Sequence, residues 1–97
     1  MNSELSTLIN AEITDIYPIY DYWQIITTKG IINVYNQVNS DVFGFVKGCK
    51  ITELELIDGK HFCIKLKNDK IITISLEDND ITESFEVNLK TGEIIVE

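Results

Sequence analysis

A mainly β domain (α+β by strict class), with an antiparallel sheet of about eight strands and one short N-terminal helix, is the fold this sequence predicts. Such a sheet can curl into a partly open barrel. Three observations carry the expectation. The aliphatic content is dominated by isoleucine, a β-branched residue that loses rotamer freedom in helices and packs well on a pleated surface. Alternation of apolar and polar residues recurs from Leu54 to the C-terminus, with the period of two that a half-wet strand requires. Most of the alternating runs are separated by two or three residues of turn chemistry, too few for the crossover that parallel strands need. Ninety-seven residues with 44% hydrophobic content suffice for one core, so residues 1–97 are read as a single domain.

The elements follow in order. Ser3 can cap a short helix running through Asn10, with Glu4 near its positive end and Leu5, Leu8 and Ile9 on one stripe that covers the sheet. Ile13 to Tyr17 reads as an edge strand ending at a bend, because Pro18 lacks the amide a central ladder uses. The rings of Tyr17, Tyr20, Tyr22 and Trp23 are assigned first to the core, with partner binding the second assignment. Tyr22 to Thr28 and Ile31 to Asn36 form a hairpin around Lys29-Gly30, the glycine supplying a positive φ. Both its faces carry large apolar groups, so it calls for cover on two sides, one from the helix and one from the rest of the sheet. Gln37 to Gly48 is an irregular loop with a short turn of helix, its Val42, Phe43, Phe45 and Val46 filling the core.

Lys50 to Leu76 reads as a three-stranded meander. A three-residue loop at Asp58 to Lys60 aligns Leu56 with Phe62, Leu54 with Ile64 and Glu53 with Lys65. A two-residue loop at Asp58-Gly59 would mix wet and dry faces. The same test at Asn68 to Lys70 pairs Leu66 with Ile72 and Ile64 with Ile74, giving one dry face. Phe85, Val87 and Leu89 then alternate with polar residues, and Thr91-Gly92 turns the chain into Glu93 to Glu97. Val87 can oppose either Val96 or Ile95.

Charge bounds the function. Sixteen acidic residues face eight basic ones, all lysine, for a formal net charge of −8. Phosphate contacts need clustered cations, so direct nucleic-acid binding is excluded, and a basic protein is the partner that such a surface suits. Met1 to Thr7 lacks the basic start of a secretory signal, and no apolar run reaches the roughly 18 residues of a membrane span. With two cysteines and no export signal, the expectation is a cytoplasmic protein with free thiols and no membrane association.

Catalytic chemistry is poorly supported. His61 and Cys63 share one strand face, but side chains at i and i+2 stand roughly 6–7 Å apart, too far for thiol activation, and only Glu77, expected opposite His61, could orient the base. Two cysteines and one histidine without a CxxC do not complete a zinc tetrahedron. No P-loop, GxSxG, HExxH or dinucleotide fingerprint is present. The expectation is therefore a non-enzyme with no cofactor and no metal. Glu77, Asp78, Asp80 and Glu83 form the densest acidic run, in the loop Glu77 to Ser84. Its spacing lacks the glycine and terminal glutamate of an EF-hand, so it reads as a solvated turn or a partner surface.

Trp23-x-Ile25 leading through Gly30 to Asn33-Val34-Tyr35-Asn36, followed by Ile74-Ser75-Leu76-Glu77-Asp78 ahead of an acidic loop, resembles the small immunity proteins of bacterial contact-dependent growth inhibition systems. Where those sequences often carry Gly-Pro-Glu, this one has Ile81-Thr82-Glu83. The resemblance implies a cytoplasmic inhibitor that neutralises a cognate toxin domain, commonly a basic nuclease, by occluding its active site. Glu77, Asp78, Asp80 and Glu83 would dock in the cationic cleft, with Asp21, Glu53 and Glu55 beside them. The alternative is a non-enzymatic assembly module that self-associates through an exposed strand edge, Ile13 to Tyr17 or Glu93 to Glu97. A hydrolase using Cys63 is a third reading.

Overall fold

The computed structural model describes residues 3–77 and 84–96. Its strands are β1 (Ile13–Ile19), β2 (Tyr22–Thr27), β3 (Gly30–Val34), β4 (Ile51–Ile57), β5 (His61–Leu66), β6 (Ile71–Ser75), β7 (Phe85–Leu89) and β8 (Ile94–Val96). Short 3-10 helices span Ser3–Leu8 and Ser40–Phe45. The mainly β class and the eight antiparallel strands are as the sequence predicts. They divide between two sheets, of order β1-β2-β3-β7-β8 and β4-β5-β6, and do not close a barrel.

The two sheets share one core because their inward parities are apolar. Ile25, Ile32 and Val87 lie in one row of the larger sheet, and Leu54, Ile64 and Ile72 in one row of the smaller; all six are buried. Phe62 and Phe85 stack across the interface with ring centroids 4.6 Å apart. Backbone bridges join the sheets at two corners. At one, the Ile51 N–H donates to the Ala11 carbonyl and the Ile13 N–H to the Cys49 carbonyl. At the other, residues leaving β3 run along β6, where the Ser75 N–H donates to the Gln37 carbonyl and Val38 faces Ile74.

Several local expectations are corrected. The N-terminal helix stops at Leu8: Asn10 turns to φ 72° and gives its N–H to the Ile51 carbonyl, which ends the helix. Leu5 and Leu8 are buried as expected, but the helix packs against β4 and leaves the outer face of β2 and β3 alone. Strand β1 continues through Pro18 to Ile19, paired with Trp23 and Tyr22. Counting back from the two-residue turn Tyr20-Asp21, Pro18 falls at the position directed away from β2, where a missing amide leaves the ladder intact.

The β2–β3 turn is Thr28-Lys29, and Gly30 begins β3 without a positive φ. The turn is held by Thr27, whose buried hydroxyl donates to the Gly30 carbonyl (2.7 Å) and accepts from the Lys29 and Gly30 amides. In the β4–β5 hairpin, Leu56 pairs with Phe62, Leu54 with Ile64 and Glu53 with Lys65, the register that the three-residue loop predicts. Asp58 and Gly59 both take positive φ inside it. The β5–β6 register is displaced by two residues, Ile64 facing Ile72 and Phe62 facing Ile74. Asp69 at φ 68° closes this loop one residue early, so every side chain keeps its face. Val87 opposes Ile95. Leu56, assigned to the dry face, is 44% exposed at the end of β4, and Phe45, assigned to the core, is 62% exposed beneath the Lys70 ammonium.

Candidate partner-binding surface

Alternation along β1, β2 and β3 divides their side chains cleanly. Trp23 and Ile25 turn inward, and Tyr17, Ile19, Tyr22, Gln24 and Asn33 turn outward. The outer face is tied by side-chain bonds, Gln24 Nε2 donating to Asn33 Oδ1 at 3.2 Å and Asn33 Nδ2 to Glu86 Oε1 at 3.5 Å. At one end of that face gather the chain's four tyrosines. Tyr22 and Tyr35 pack with centroids 5.2 Å apart, Tyr17 and Ile19 lie on the adjacent strand, and Tyr20 stands in the β1–β2 turn. The expectation of core fails for Tyr20, which is fully exposed, and Tyr17, which is 47% exposed; Tyr22 is partly exposed on the outer face, whereas Trp23 packs against the core as expected. Tyr20 also holds φ 53°, a left-handed conformation that a bulky residue rarely adopts. The Asp15 carboxylate, by its hydrogen bond and then its charge, holds the Tyr17 phenol above its ordinary value of 10.0, and Asp15 in turn lies 3.6 Å from Lys47.

Beside the tyrosines runs a groove of about 620 Å³ lined by Asp21, Trp23, Val34, Tyr35, Asn36, Gln37 and Val38. Trp23 is fixed in its wall by an edge contact to Phe43 at 4.8 Å. Asn36 holds the start of the acidic loop at the rim, its Nδ2 donating to the Glu77 carbonyl at 2.8 Å and to Ser84 Oγ at 3.3 Å. Asp21 thus lines the groove, and the backbone of Glu77, far away in sequence, is tied to Asn36 in its wall. Asp78, Asp80 and Glu83 lie outside the described residues.

Glu53 and Glu55 sit elsewhere, on the outer face of β4, and are already engaged. Lys65 Nζ lies 2.7 Å from Glu55 and 3.7 Å from Glu53. The hydrogen bond that it donates to Glu55 is the main reason the Lys65 ammonium is held above its ordinary range. No such partner meets Asp21 or Glu77 among the described residues. Across that same face, Ile57, His61 and Ser75 form one row and Glu55, Cys63 and Thr73 the next, so His61 lies opposite Ser75 and not Glu77. Cys63 is buried with its Sγ 3.9 Å from Thr73 Oγ1, and Cys49 Sγ points to the Phe45 carbonyl; both thiols are free. Among the described residues no three His, Cys, Asp or Glu side chains are grouped to hold a metal ion, and no helix is long and apolar enough to cross a membrane.

The two ends of the molecule differ in charge. Lys29, Lys47, Lys50, Lys67, Lys70 and Lys90 collect where the β2–β3, β5–β6 and β7–β8 turns meet the start of β1. There the Lys67 amide bonds the Lys50 carbonyl, the Lys90 amide the Lys29 carbonyl, and the Thr28 amide the Glu12 carbonyl. Glu4, Glu12, Asp15, Asp69 and Glu93 balance them there. Among the described residues, the opposite end holds Asp21, Asp58 and Glu77 with only Lys60, which the Leu76 amide ties to the end of β6.

The tyrosine cluster and residues 34–38 of the groove are the parts that the sequence reading missed. Its available signal was the strand parity that separates Tyr17 and Tyr22 from Trp23. No known protein family, curated protein or solved structure matches this chain.

Proposed function

We propose that this protein is an immunity-type inhibitor that binds a basic toxin domain, of nuclease type, in the cytoplasm and occludes its active site. The observation that carries the reading is the acidic end of the molecule, where Asp21 lines a tyrosine-edged groove, Glu77 is tied by its backbone to Asn36 of the groove wall, and neither has a cationic partner among the described residues. Carboxylates without internal partners attract a cationic cleft from a distance, and exposed aromatic rings anchor the docked complex. Binding in place of turnover is supported by the seating of Cys63 against Thr73, opposite a Glu55 that Lys65 already engages.

Co-expression with the C-terminal domain of a toxin encoded next to this chain tests the reading. Growth should be rescued and the two proteins should copurify. Asp21→Lys with Glu77→Lys should abolish rescue while circular dichroism stays unchanged. Rescue by the double variant at full strength would reject the acidic end as the interface. A second reading, self-association through a strand edge, is favoured by β8, an edge strand with Ile94 and Val96 exposed. Sedimentation across concentration separates the two, since a monomer at all concentrations removes the assembly module.

A further inference from the structure

We infer that the groove beside the tyrosine cluster is a receptor for an arginine side chain presented by a loop of the protein partner, with Asp21 as its counter-charge and the aromatic rings as its platform. The inference rests on the inhibitor reading for the source of the arginine. Three independent features converge on it. The Asp21 carboxylate is exposed in a two-residue turn and has no cation near it among the described residues. Trp23 and Tyr35 both line the groove, each held by another ring, Phe43 for Trp23 and Tyr22 for Tyr35, so their positions are set before a partner arrives. Tyr20, fully exposed and in a strained left-handed conformation, is the other residue of that turn.

Guanidinium is the group this combination suits. It is planar, stacks on aromatic faces, and gives two parallel hydrogen bonds to a carboxylate, whereas an ammonium offers only a point charge. Preset rings add little ordering loss on binding, which is why tyrosine and tryptophan recur among residues that dominate interfaces. The surrounding end of the molecule, with Asp58 and Glu77 against a single lysine, favours a cation over a neutral or acidic side chain.

Trp23 is the chain's sole tryptophan and lines the groove, so its fluorescence reports on this site alone. The probes are acetyl-Gly-Arg-Gly-amide and its glutamine counterpart, titrated into the whole chain while amide shifts are mapped by NMR. The arginine peptide should change Trp23 emission saturably and move the Tyr20, Asp21 and Asn36 amides. The glutamine peptide should do neither, and Asp21→Asn should weaken the arginine response about tenfold with an unaltered melting temperature. Equal responses to both peptides, no saturable response to either, or full response in Asp21→Asn would each overturn the inference. In the toxin co-expression assay, rescue that survives Asp21→Asn combined with Tyr20→Ala at wild-type affinity would reject the receptor and leave the inhibitor reading standing. A peptide response without any rescue would do the reverse.

Discussion

Phe62 and Phe85 show how much of the core rests on single side chains. Each comes from a different sheet, both are buried, and their rings stack at 4.6 Å, so removing one opens a cavity that neither sheet can close alone. Phe62→Ala should cost about 3–5 kcal/mol in urea unfolding, with both sheets lost in one transition. Phe45→Ala, at a ring 62% exposed, should cost under about 1 kcal/mol. Equal losses would mean that burial of Phe62 in the stack contributes no more than an exposed ring does. Phe62 and Phe85 were legible as core residues because period two gives each strand residue a face. Phe45 was not, since it ends a 3-10 helix with no alternation to read, and its ring is used to cover Lys70. A charge effect belongs at this scale too. Hydrogen bonding to Glu93, then repulsion from it, holds the Glu4 carboxyl above its ordinary value of 4.5. A raised carboxyl pKa means that the native state holds the proton more firmly. This contribution is present below 4.5 and is lost as pH rises through the raised value, leaving two like charges at pH 7. Glu93→Gln should therefore raise the melting temperature at pH 7 by a small amount that vanishes near pH 3. A lower melting temperature at pH 7 would show that the pair is not repulsive.

Turns decide register, and they mark where an element can be read from its residues. Asp58-Gly59 invites a two-residue loop, yet the meander follows the three-residue register because only that one keeps Leu54 and Ile64 on the buried face together. At residues 66–70 burial could not choose between two registers of equal parity. The choice fell to Asp69, which adopts φ 68°, and to the Asn68 side chain, which accepts from the Lys70 amide. Gly30 was legible as important but for the wrong reason. Its φ is ordinary, and what it supplies is space: a Cβ there would stand 2.8 Å from the Asn88 carbonyl oxygen on β7. Backbone cannot step aside as a flexible side chain can, so Gly30→Ala should destabilise by about 1–3 kcal/mol. It should also speed amide exchange along β3 and β7. Gly44→Ala, with nothing within 4 Å of the new Cβ, is the matched control and should be close to neutral. If the two variants melt alike, close approach of β3 and β7 is not what the glycine provides.

For the whole molecule, the uneven placement of charge has more consequence than the net −8. The acidic loop could be found in the sequence as a run of carboxylates, and Asp21 as an acid among aromatic residues. That Asp21 and Glu77 belong to one end could not be found there, because it depends on Asn36 reaching across from the end of β3 to the Glu77 carbonyl. Nor could the sequence show that Glu53 and Glu55 are engaged by one lysine and that six lysines share the far end, since neither fact follows from spacing along the chain. The dimensions of 33 × 28 × 27 Å exceed the Debye length of about 8 Å at physiological salt several-fold. A partner approaching the acidic end is thereby screened from the lysines, and the molecule presents its groove first to a cationic surface. Charge reversal at Asp21 and Glu77 should slow association with a basic partner by about tenfold at low salt and flatten its dependence on ionic strength. Lys67→Gln with Lys70→Gln, which changes net charge at the far end, should shift the association rate by less than about twofold. Stopped-flow mixing across salt concentration distinguishes these outcomes. If the two double variants shift the rate in opposite directions and in proportion to the net charge each adds or removes, net charge alone governs the encounter, and the asymmetric placement of charge plays no part in orienting it.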